Sequence, residues 1–235
     1  MGTTLTVPAK FNGPVDSGNG GYSAGLFASG LGDAAAAEVT LRSPIPLDRP
    51  IAVEEGEGEG LRFADGETLI AEARPAPEFD PEPPFPVSLE EARRASEKYP
   101  APSDGLFSSC FVCARAREDS FEVFAGPLEG RSGVASAWTP PEWTADEEGR
   151  VRREFLWSVL DCPTYFAAFA GGELPLAFLA RMTCRIHSAA IPGEDHVVVA
   201  WPLGSDGRKH RAAAAVLTSG GEVLAIAEAL MIEPR

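Results

Sequence analysis

Gly18-Asn19-Gly20-Gly21, running into Tyr22-Ser23-Ala24-Gly25-Leu26-Phe27-Ala28-Ser29-Gly30-Leu31, is the stretch on which the fold turns. A glycine-rich turn feeds a segment with no charged residue, and that segment reads as a helix that is apolar nearly all round. Such a helix has no face for solvent, so other elements must wrap it. Strand patterns lie on both sides of it: Leu5 to Phe11 before it, then Glu38 to Arg42, a break at Pro44 and Pro46, and Pro50 to Glu55. Leu61 to Ala64 and Thr68 to Arg74, joined by Asp65-Gly66, have the spacing of a hairpin.

The same order of elements recurs later in the chain. Phe121 to Phe124 and Gly133 to Trp138 read as strands, and Phe155-Leu156-Trp157-Ser158-Val159-Leu160 opens an apolar helix running towards Phe169. Leu179 to Ile186, His196 to Trp201, and the hairpin Ala212 to Leu217 and Val223 to Ile232 follow. Local identities sit at matching places. Val39-Thr40-Leu41-Arg42 parallels Met182-Thr183-Cys184-Arg185, and Ile70-Ala71-Glu72-Ala73 parallels Ile226-Ala227-Glu228-Ala229. Agreement in order, turn type and distance from the apolar helix points to a repeat. Between the copies lies a connector bearing Pro77, Pro81, Pro83, Pro84, Pro86, Pro100 and Pro102, in which Ser88-Leu89-Glu90-Glu91 has the form of a capping box opening a short helix. The predicted organisation is therefore an N-terminal unit over 1–75, a connector over 76–109 and a C-terminal unit over 110–235. The simplest geometry is α+β: each unit a helix wrapped by an antiparallel sheet, the two pairing to hide their edges.

A chain of 235 residues buries a core without disulfides or metal. Its 35 acidic and 20 basic residues give a net charge of −15, which disfavours a nucleic-acid partner and an anionic membrane surface. There is no membrane-length apolar run and no signal-peptide pattern in Met1 to Pro14. Cys110, Cys113, Cys162 and Cys184 are few and irregularly spaced, which fits a reducing compartment. The expectation is a cytoplasmic protein, monomeric as an internal pseudo-dimer or a homo-oligomer.

A helix rolled in an antiparallel sheet, the loop Gly18-Asn19-Gly20-Gly21-Tyr22, the proline-rich strand exit Thr40-Leu41-Arg42-Ser43-Pro44-Ile45-Pro46-Leu47 and Val159-Leu160-Asp161-Cys162-Pro163 together resemble the double-hotdog proteins of the acyl-CoA thioesterase superfamily, actinobacterial type. The resemblance implies a tandem hotdog with two long central helices, hydrolysis of an acyl-CoA or related thioester at a site composed from both halves, and no cofactor beyond the coenzyme A of the substrate. In such enzymes the loop is often His-Gly-Gly; here Asn19 stands in the histidine place. They use an Asp or Glu on the partnering helix, and Asp161 matches that position.

The residues support this chemistry in physical terms. A helix N-terminus carries unpaired N–H groups and partial positive charge, and glycines let a ligand approach them. Gly20 and Gly21 would hold a developing oxyanion, with Asn19 orienting the carbonyl and Tyr22 and Trp157 lining the pocket. Asp161 would be the base, its pKa raised by an apolar surrounding. The plainer alternatives are a tight turn with Asn19 as N-cap, and Asp161 as a helix-end residue before Pro163. No glycine opens the second helix, so one composite site is expected rather than two. Arg208, Lys209 and Arg211 form a basic cluster that could contact coenzyme A phosphates or be a solvated strand start. Cys110-Phe111-Val112-Cys113 is a single CxxC without clustered histidines, and no metal is expected. No hydrolase triad, P-loop or dinucleotide motif occurs. The alternative function is an acyl or acyl-CoA binding protein that keeps the fold without hydrolysis.

Overall fold

The computed structural model describes residues 3–32, 34–100 and 105–235. Eleven strands form one sheet: β1 (Thr4–Leu5), β2 (Ala36–Leu41), β3 (Ile51–Glu55), β4 (Leu61–Asp65), β5 (Thr68–Pro75), β6 (Gly126–Pro127), β7 (Val134–Trp138), β8 (Phe178–Ile186), β9 (His196–Asp206), β10 (Lys209–Thr218) and β11 (Val223–Ile232). Three α-helices accompany them: α1 (Gly20–Ser29), α2 (Leu89–Glu97) and α3 (Arg153–Ala168). The strand order is β1-β3-β4-β5-β2-β8-β11-β10-β9-β7-β6, with every pairing antiparallel. The run β3-β4-β5-β2 meets β8-β11-β10-β9, its counterpart in reverse, at the β2–β8 pair. There the first residues of the two similar tetrapeptides stand opposite each other, Val39 against Met182, with Glu38 opposite Thr183.

Alternation along the C-terminal strands explains their alanine and valine content. On β10, Ala212, Ala214 and Val216 face the core that holds α1 and α3, while Ala213, Ala215 and Leu217 face a second core under α2. Both faces are covered, so the strand is an unbroken apolar run rather than an alternating one. Small side chains there let the helices lie close. The connector helix α2 supplies that second cover. Ser88 and Glu91 cap it reciprocally, and Ala92 and Ala95 pack downward. Over the N-terminal strands the outer face carries an ion-pair ladder instead, with Arg74 on Glu38 and Arg42 on Glu72.

Two local expectations change. Strand character over Leu5 to Phe11 stops at Leu5, and Ala9–Phe11 is a 3-10 turn after Pro8, which has no N–H for a ladder. Phe121 to Phe124 is not a strand, because Glu122 has a left-handed φ of 56°. The Phe121 and Val123 N–H groups donate instead to the Phe111 and Val112 carbonyls. The second helix runs on towards Phe169 as expected, and the alternative that Asp161 ends it falls: α3 passes through Pro163 to Ala168. Proline removes the donor to the Val159 carbonyl there, and the Thr164 hydroxyl donates to the Asp161 carbonyl at 2.6 Å. The first helix is short, ten residues, against sixteen in α3.

Candidate active site

Asn19 caps α1, its Oδ1 accepting from Tyr22 N at 2.9 Å. The Gly21 N–H points across to α3 and donates to Asp161 Oδ2 at 2.8 Å. The Gly20 N–H donates to no group among the described residues. A Cβ on Gly20 would stand 2.9 Å from Leu179 Cδ2 and 3.1 Å from Asp161 Oδ2, so only glycine leaves this corner open. Asn19, Gly20 and Asp161 together line a cavity of about 990 Å³. The rest of its wall is largely apolar, and Leu174, Leu176 and Phe178 at 39%, 48% and 37% exposure give it an apolar mouth.

Asp161 is 7% exposed. Burial pushes its carboxyl up to about 7, against the pull of the Gly21 N–H and with a further push from Cys110. The carboxylate also sits at the positive end of α1. The glycine loop and the acid thus meet in one place.

Other predicted site residues are distributed differently. Gly21 does not offer its N–H to a ligand, because Asp161 holds it. Trp157 and Asp161 are one helical turn apart and share a face, but that face is turned to α1, and Trp157 packs against Gly25 rather than on the cavity. Tyr22 stacks in an aromatic cluster, 4.2 Å from Phe11 and 5.6 Å from Phe155 between ring centres. In the basic cluster, Arg208 reaches the cavity wall, whereas Lys209 does not and Arg211 pairs with Glu228 on the neighbouring strand. Arg208 lies in the β9–β10 turn ahead of the strand, whereas Lys209 and Arg211, two residues apart on β10, share one face. Arg42, paired with Glu72, is a second arginine on the cavity.

Cys162 was not singled out by sequence, yet its sulfur is 3.7 Å from Cys110 Sγ on the same wall. Hydrogen bonds from the Cys113 and Cys162 thiols hold Cys110 well below the usual thiol range, and the same bonds keep Cys113 and Cys162 well above it. The Asn19 Nδ2 also points at Cys110 Sγ, at 3.8 Å. Both ends of the Asn19 amide are therefore engaged. Asn19→Ala is expected to cost about 1 kcal/mol of stability through the lost cap. Thermal unfolding should register this as a Tm lower by roughly 2–4 °C.

No protein-family model and no curated protein matches the chain. Solved structures do match it along nearly its whole length. The tesB protein of Mycobacterium avium subsp. paratuberculosis is 16% identical with a TM-score of 0.61, covering 98% of this chain and 91% of its own. A conserved protein of unknown function with a hotdog fold from Alicyclobacillus acidocaldarius is 13% identical with a TM-score of 0.62, covering 99% and 92%. A protein provisionally named a thioesterase from Novosphingobium aromaticivorans is 15% identical with a TM-score of 0.61, covering 99% and 95%. At these identities the likeness is one of fold, and the chain has the hotdog fold of these structures.

Proposed function

We propose that the protein hydrolyses an acyl thioester, an acyl-CoA in the first instance, at the corner where Asp161 meets the α1 N-terminus. The observation that carries this reading is the bond from Gly21 N–H to Asp161, which fixes a buried carboxylate beside the free Gly20 N–H on one cavity. The two strand sets and their helices are read as tandem hotdog halves, the N-terminal half ending near residue 75 and the C-terminal half beginning near 110. The site draws on both: α1 supplies the donor and α3 the acid.

The chemistry follows from those positions. Asp161 takes a proton from water as the water oxygen bonds to the thioester carbon. The carbonyl oxygen gains negative charge and is met by the Gly20 N–H and the positive end of α1. When the tetrahedral adduct collapses, the C–S bond breaks and Asp161 returns its proton to the leaving thiolate. Water and thioester thus become acid and thiol, with no cofactor needed. The apolar wall, including Phe107, Tyr165 and Leu179, suits an acyl chain. Arg42 and Arg208 at the rim suit the phosphates of coenzyme A. A single site per chain is expected. Asp161 lies eight residues after Arg153 at the start of α3, and eight residues after Gly20 in α1 is Ala28, which has no acid.

Release of free coenzyme A from a panel of acyl-CoAs, measured by chromatography, tests the reading. Binding of panel members without turnover would make the protein an acyl-CoA binder. That second reading draws on one observation, the engagement of the Gly21 N–H, which leaves one helix-terminal donor for the oxyanion where two were expected. Arg208→Ala is expected to raise KM for an acyl-CoA about threefold, the worth of a solvent-facing ion pair. It should leave kcat alone and have no effect on a thioester that lacks the nucleotide.

A further inference from the structure

We infer that Cys110, Cys113 and Cys162 form a three-thiolate site for a thiophilic metal ion, zinc(II) in the first instance, with its fourth position open to the cavity. All three sulfurs lie within 4.8 Å of one another. Cys110 and Cys162 are 3.7 Å apart, whereas a disulfide needs about 2.05 Å. Ligands at about 2.3 Å from a tetrahedral zinc ion would be separated by roughly 3.8 Å, so this spacing is that of a coordination edge.

The surrounding backbone holds the sulfurs there. Ala114 N donates to the Cys110 carbonyl at 3.0 Å, closing one helical turn that brings the Cys110 and Cys113 side chains to the same side. The Tyr99 hydroxyl donates to the Cys113 carbonyl at 3.0 Å and pins the far end of that turn. Cys162 comes from the middle of α3, a rigid element packed at the centre of the protein. The Asn19 amide, directed at Cys110 Sγ, is placed as an outer-shell donor to a metal-bound thiolate. Three protein ligands of one soft type select zinc(II) or copper(I) over hard cations. All three line the cavity, so the remaining position is available to water or a ligand atom.

In the bound state all three cysteines are thiolates, and the protons they still carry go to solvent. Three thiolates and one zinc(II) leave a local charge of −1. No electrons are exchanged. The inference is independent of thioester hydrolysis, and its test needs no substrate.

The test uses the full chain, reduced and stripped with a chelator under anaerobic conditions. Titration with cobalt(II) should produce thiolate-to-cobalt charge-transfer absorption in the near ultraviolet and tetrahedral ligand-field bands in the visible. Stoichiometric zinc(II) should bleach both. Cys110→Ser and Cys162→Ser should each weaken zinc binding by more than about 100-fold in chelator competition, since even outer-shell changes cost 10–100-fold. Cys184→Ser, a buried cysteine outside the cluster, should leave it unchanged. Wild-type protein gives a second measure that does not depend on how the variants fold: zinc(II) should slow alkylation of Cys110, Cys113 and Cys162, located by peptide mass, while that of Cys184 is unaltered. The inference is overturned if wild type shows no charge-transfer band and no protection of these three thiols. It is overturned equally if zinc affinity is the same in Cys110→Ser as in wild type.

Discussion

Asp161→Asn is expected to lower kcat for acyl-CoA hydrolysis by about 10²-fold or more, the usual worth of a positioned base. KM should change little, because the carboxylate acts on water and not on the bound ester. The substitution suits the purpose because asparagine has the same size and keeps an oxygen for the Gly21 N–H, now 2.8 Å from Asp161 Oδ2. The fold should therefore survive. It should even gain slightly, since an amide in this 7%-exposed position avoids the cost of burying an ionised group. The paired readout is turnover and Tm on the same preparation. Lost turnover with an unchanged or raised Tm supports the base assignment. A lowered Tm with turnover intact would make Asp161 a structural tie between α1 and α3, and the proposed chemistry would fail.

Much of this arrangement was legible in the sequence because it depends on local patterns. The tetrapeptides that begin at Val39 and Met182 match, and these two residues pair where the two strand sets meet. The hairpins at Asp65-Gly66 and Gly220-Gly221 appear with the glycines Gly66 and Gly221 in left-handed conformation, which the turn chemistry requires. What was not legible depends on neighbours distant in sequence. Pro163 left open the alternative that the helix ends at Asp161; packing on every side of α3 outweighs the proline, and the helix runs on. Gly20 and Gly21 look equivalent in the sequence. One faces the cavity and the other faces Asp161, 140 residues later, and nothing local distinguishes them. Cys162 joins Cys110 across 52 residues, so a search for close-spaced ligands finds the CxxC and misses its third member. The basic run 208–211 is one cluster in the sequence, but Arg208 sits in the turn while Lys209 and Arg211 lie on the strand that follows.

The closest approach of the two helices gives the remaining large effect. A Cβ on Gly25 would stand 2.7 Å from Glu154 Cα and 2.9 Å from Trp157 Cβ, and one on Gly21 would stand 2.6 Å from both Trp157 O and Asp161 Cβ. In a solvent-facing helix, glycine to alanine would stabilise by about 1 kcal/mol. Here the sign should reverse, because backbone atoms of α3 cannot rotate away and α1 must move as a body. Gly25→Ala is expected to destabilise by about 1–3 kcal/mol, the usual cost of overpacking a core. Gly21→Ala should cost at least as much, and it should also reduce turnover, since the displaced helix carries the donor that holds Asp161. Gly30 is the control. Its Cβ would meet Leu61 Cδ1 at 2.7 Å, the end of a flexible side chain, and its φ is already helical at −65°. Gly30→Ala should therefore be close to neutral. Denaturant unfolding of the three variants decides the matter. Equal stability of Gly25→Ala and Gly30→Ala would mean that α1 and α3 do not approach as closely as the contact at Gly25 requires, and the placement of Asp161 against the α1 N-terminus would fall with it.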